Sequence, residues 1–188
     1  MNTALKNVLV LLTGLALATG CAPKVRDLQP SGFLSTYIDF RPTRSKDFAQ
    51  YQYINNDVDF SSYKKIIVDP LVFYMEEDKV KKTMQTEELQ KVADDYNGAL
   101  TNALSDGYPI ITRPGPGVMR LRFAITDLVR TDSGFTYIIT AEAEMLDSQT
   151  NKRLAAAVDT QESLKVKEML NKWARRFRLA LDRLTGKK

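Results

Sequence analysis

Residues 118–126 alternate between apolar and polar positions: Met119, Leu121, Phe123 and Ile125 on one side, Arg120, Arg122, Ala124 and Thr126 on the other. A period of two is that of a strand with one buried face. Turn-forming residues at Thr131 to Gly134 follow, and Tyr137, Ile139, Ala141, Ala143 and Met145 repeat the pattern with Glu142 and Glu144 facing out. The two segments therefore form an antiparallel hairpin, and opposite charges choose its register. One pairing sets Arg122 against Glu142 and Arg120 against Glu144; sliding by two sets Arg122 against Glu144. A third strand is expected over residues 153–161, with Leu154, Ala156 and Val158 inward.

Earlier in the chain, Lys64 to Asp69 is a β-branched run stopped by Pro70, which suits a buried strand, and Leu71 to Tyr74 prolongs it past a kink. Glu76 to Lys82 alternates charges. Thr86, Glu87 and Glu88 then place negative charge in a helical first turn. Leu89, Val92, Ala93, Tyr96, Leu100 and Ala103 follow at three- and four-residue spacing, until Gly107 and Pro109 end the helix. Ile110 and Ile111 begin a short strand that Pro114-Gly115-Pro116-Gly117 breaks. A last helix, from Ser163 to Leu184, carries one apolar face through Val166, Leu170, Trp173, Phe177, Leu181 and Leu184. These elements predict an α+β fold: an antiparallel sheet of four or five strands with two helices packed on one face.

Composition removes several chemistries. The 188 residues contain no histidine and one cysteine. Histidine-based triads, histidine-ligated zinc and the usual general base near neutral pH are therefore excluded. A formal net charge of +4 is too mild to suggest nucleic-acid binding. The acidic groupings Asp57 with Asp59, Asp94 with Asp95, and Glu76-Glu77-Asp78 lack the ligand ladder of a calcium loop. No catalytic residue, metal ligand or cofactor is assigned, and no enzymatic activity is expected.

The front of the chain carries an address. Lys6 and the initiating amine precede an apolar run from Val8 to Ala18, about half of the roughly 20 residues that a membrane-spanning helix needs. The run ends in Leu17-Ala18-Thr19-Gly20-Cys21, which resembles the signal peptide and lipobox of a bacterial lipoprotein, with Ala18 where Leu is commoner. That resemblance implies cleavage before Cys21, diacylglyceryl modification of its sulfur and acylation of the new amine. Two or more acyl chains anchor stably where one is only marginal. The residue after the cysteine is Ala22, so the resemblance further implies an outer-membrane, periplasm-facing location. The expected organisation is a leader over residues 1–20, a lipidated tether with its Ser-Gly-Phe-Leu segment over 21–45, and one domain over 46–188. That segment, Ser31-Gly32-Phe33-Leu34-Ser35-Thr36-Tyr37, and the later Tyr63-Lys64-Lys65-Ile66-Ile67-Val68-Asp69-Pro70 resemble a family of uncharacterised proteobacterial lipoproteins. The family brings no known reaction or ligand. Phe33, Leu34 and Tyr37 exceed what a flexible tether needs, so the segment is expected to dock on the domain, with a partner site as the alternative.

The polar face of the last helix is basic through Lys172, Arg175, Arg176, Arg178 and Arg183. It is a candidate surface for an anionic envelope molecule or an acidic protein partner; the plainer reading is a solvated helix face. The expected function is a lipid-anchored, non-enzymatic accessory or scaffold of the envelope. The competing readings are a hydrolase of envelope polymers working through carboxylates, and a carrier with a deep apolar pocket between sheet and helices.

Overall fold

The computed structural model describes residues 28–131 and 136–187, with the side chains of 80–82 left out. Among the described residues the strands are β1 (Arg41–Pro42), β2 (Tyr51–Ile54), β3 (Lys65–Val68), β4 (Val72–Phe73), β5 (Val118–Arg130), β6 (Tyr137–Asp147) and β7 (Arg153–Ser163). The helices are α1 (Glu77–Thr83), α2 (Thr86–Leu104) and α3 (Val166–Thr185). One seven-stranded sheet runs β1-β2-β7-β6-β5-β3, with β4 also on β5.

The α+β class holds, and its details are corrected. The sheet is mixed, because β3 and β4 run parallel to β5 while the other pairs are antiparallel. A parallel neighbour needs a long crossover, and α1 and α2 lie between β4 and β5 in the chain. The third helix, α1, lies in the charge-alternating stretch, which has no apolar stripe to betray it. Ile110 contributes only an isolated parallel bridge to Ile66.

The hairpin adopts the slid register. Arg122 stands opposite Glu144, Ala124 opposite Glu142, and Arg120 opposite Leu146. Arg120 instead pairs with Asp69 at the end of β3, at 2.8 Å. In β7 the register shifts by one between Met145 and Leu146 of its partner strand, as a β-bulge does. Residues on either side of a bulge exchange faces. Leu154 joins the helix-side core while Ala156 and Val158 point to the other side of the sheet, so the expected common inward set is overturned.

Helices α2 and α3 cover one face. Val92, Tyr96, Leu100 and Leu104 of α2 and Leu170, Trp173 and Leu181 of α3 pack on Leu121, Phe123 and Ile125 of β5. Two edge-to-face ring contacts run from Tyr96 through Phe123 to Phe177, with centroids 5.2 and 5.1 Å apart. The other face is covered by the chain's own front segment. Phe33 and Leu34 are buried there with Ala124, Ala156 and Val158, flanked by Leu28, Tyr37, Phe40, Tyr51 and Tyr53. The segment thus docks on its own sheet.

Candidate ligand-binding cleft

Small side chains open a gap on the helix side of the sheet. Phe123, Ala143, Ala157 and Gln52 form one cross-strand row, and Met145, Ala155 and Ile54 form the next. Ala143 and Ala157 stay half-buried although β6 and β7 are inner strands. A methyl group does not fill the distance to a covering helix, and close-packed interiors keep few voids larger than a water molecule. The gap is a cleft of about 570 Å³, within the range of roughly 300–1,000 Å³ seen for ligand sites.

Three elements wall it. Along α3, Trp173, Arg176, Phe177, Ala180, Arg183 and Leu184 recur at helical spacing and line one side. The alanines of β6 and β7 form the floor. The loop between β1 and β2 supplies Phe48 and Ala49 opposite α3. That loop is tied down at both ends of the α3 stripe: Arg176 donates to the Lys46 carbonyl, and the Arg183 guanidinium lies 5.5 Å from the centre of the Phe48 ring.

Asp159 is the buried polar anchor of the wall. Its carboxylate accepts from Trp173 Nε1 at 2.7 Å, Arg176 Nη1 at 2.9 Å, Gln161 Nε2 at 2.9 Å and the Gln50 amide at 3.1 Å. Arg176 is thereby neutralised, and its Nε–H is buried with no acceptor among the described residues. Arg183 has no carboxylate partner among the described residues.

The five basic residues singled out on α3 do not form one surface. Lys172 and Arg175 face solvent, with Lys172 donating to Gln161 Oε1 at 3.0 Å. Arg178 ties α3 to the end of α2, donating to Asp182 Oδ2 at 2.8 Å, to the Ala103 carbonyl at 2.7 Å, and to Asp106. It also lies over Tyr108, whose hydroxyl is pushed up to about 12 by burial and by its bond to Asp182, against the opposing bond to Thr185. Arg176 and Arg183 line the cleft, Arg176 half-buried and Arg183 exposed at the same time to solvent. Cys21 and the leader lie outside the described residues.

On the far face, Glu142 and Glu144 are buried although alternation placed them outward. Tyr37 donates to Glu142 Oε2 at 2.6 Å, and the amides of Ser31, Gly32 and Leu34 converge on the same hydroxyl, each at 3.3 Å. Burial and the bond to Glu142 raise the Tyr37 pKa. Gly32 holds the turn at φ +92°, a conformation other L-residues rarely adopt. Glu144 lies between Arg122 and Arg153, and Arg153 continues to the Thr36 carbonyl at 2.9 Å and Ser35 Oγ at 3.0 Å. Two buried carboxylates on one strand face are thus spent on fastening the segment. Among the described residues no three His, Cys, Asp or Glu side chains gather as metal ligands would, and no helix is long and apolar enough to cross a membrane.

The molecule is thus a mixed α+β domain with a helix-walled apolar cleft on one face and a docked front segment on the other. Residues 29–184 match the family described as protein of unknown function (DUF3313), and the chain belongs to it. The resemblance to uncharacterised lipoproteins read from the sequence is borne out: the chain is 28% identical over 130 residues to the uncharacterized lipoprotein YdcL of Escherichia coli K12. That match covers 67% of the chain and 57% of the relative's length. Among solved structures, the chain is similar to the PelC dodecamer of Paraburkholderia phytofirmans, at a TM-score of 0.47 and 10% identity over 69% of this chain and 94% of that one. It is also similar to lipoprotein GNA1162 of Neisseria meningitidis, at 0.39 and 14% over 53% of this chain and 83% of that one.

Proposed function

We propose that this chain is a lipid-anchored lipoprotein of the bacterial envelope, held through Cys21 at the outer membrane and facing the periplasm. In this reading its domain is a non-enzymatic component that binds a largely apolar ligand in the cleft beneath α3. The observation that carries the binding role is the alanine floor: Ala143 and Ala157 keep inner-strand positions open where larger side chains would close them. The relative's name and the leader pattern support the anchor. A hydrolase gains no specific support, because Asp159 in the cleft is committed to four donors and Glu144 to two arginines.

Trp173 is the only tryptophan of the chain and lies on the cleft wall, so its emission reports occupancy. The full chain with Cys21→Ser, kept free of detergent, is titrated with a brominated long-chain alcohol, a short-range quencher. Saturable quenching that Ala143→Leu removes is the expected result. Absence of saturable quenching in the parent chain overturns the reading.

A further inference from the structure

The cleft is apolar along its length but not electrically neutral. Its one carboxylate on the helix side of the sheet, Asp159, is matched by Arg176 at 2.9 Å. The second cation, Arg183, is unmatched among the described residues. Arg183 follows Arg176 by seven helical positions, so it lies about 10 Å along α3 from the neutralised pair. Between them the wall is Phe177 and Ala180. One end of an apolar trough therefore ends in a spare positive charge, exposed to solvent and 5.5 Å from the centre of the Phe48 ring.

We propose that the cleft takes a single-chain anionic amphiphile, with its hydrocarbon chain along the alanine floor and its anionic head at Arg183. This rests on the cleft being a ligand site and adds the ligand's charge and its orientation. An uncharged ligand makes no charge-assisted bond with the exposed Arg183 guanidinium. An anion supplies a charge-assisted bond there, about twice as strong as a neutral one. A cationic head sets a like charge against Arg183. A carboxylate and a monoester phosphate share the required chemistry.

The test compares three probes with the same dibrominated chain, each below its micelle-forming concentration: the alcohol, the carboxylic acid and the alkyl phosphate. Binding is read as quenching of Trp173 in the full chain with Cys21→Ser. The expected result is that at least one anion binds about tenfold tighter than the alcohol. Arg183→Gln is expected to erase that preference without weakening the alcohol. Arg175→Gln removes the same charge on the solvent side of α3 and is expected to leave the preference in place. Whichever anion binds tighter names the head group. Equal affinity for all three probes, or a preference that survives Arg183→Gln, overturns the proposal while the cleft remains a ligand site. No saturable quenching by any probe overturns both.

Discussion

The two faces of the sheet are covered by different means. On the helix side, large aliphatic and aromatic residues of β5 meet α2 and α3 tightly, and the packing thins over the alanines of β6 and β7. On the other side a short irregular segment suffices, because aromatic rings fill the space and buried ion pairs fasten it. Helices bring regular, stiff surfaces that leave a gap wherever the sheet's side chains are short. A flexible segment conforms to what it covers but must satisfy its own backbone, here through the Tyr37 hydroxyl. A cleft is therefore found under the stiff cover, and a structural clasp under the pliant one.

Three substitutions separate the faces by the size of their effects on stability. The largest is expected at Leu181, fully buried between α3 and the sheet. Leu181→Ala should cost about 2–5 kcal/mol in chemical denaturation, since removing buried methylenes leaves a void. A cost below about 1 kcal/mol would show the helix cover to be loosely packed throughout. Tyr37→Phe comes next. It keeps the ring, strips Glu142 of its 2.6 Å donor, and should cost about 1–3 kcal/mol, the usual penalty for a buried polar group left unsatisfied. Limited proteolysis should then cut first near Ser31 to Tyr37; an unchanged digestion pattern would show that the ring alone holds the segment. The smallest effect is expected for Ala143→Leu. Enlarging a residue in a filled core costs about 1–3 kcal/mol, but the cleft has room, so the shift should stay below about 0.5 kcal/mol while ligand binding is lost. A full overpacking penalty would mean that the cleft closes in solution.

The elements most legible in the sequence were those whose pattern is carried by large side chains. The α3 stripe from Val166 to Leu184 and the alternation from Met119 to Ile125 each point one way, and the structure follows them. The parallel pairing of β3 with β5 was not legible, because the register of Lys65 with Val118 is set across an intervening helical crossover. Glu142 and Glu144 read as solvent-facing by alternation. That rule reports a face and says nothing of what lies over it; only the excess of aromatics from Phe33 to Tyr37 pointed to a cover. The cleft was the least legible feature. The run Ala155-Ala156-Ala157 counts as apolar in any pattern, and its small volume becomes informative only once α3 is placed above it.

The clasp has a mechanical consequence. Phe33 contacts Arg122 of β5, Tyr37 holds Glu142 of β6, and Ser35 and Thr36 are gripped by Arg153 of β7. A pull on the polypeptide at Leu28 would therefore be shared among contacts to three strands before it reached the two-residue edge strand β1.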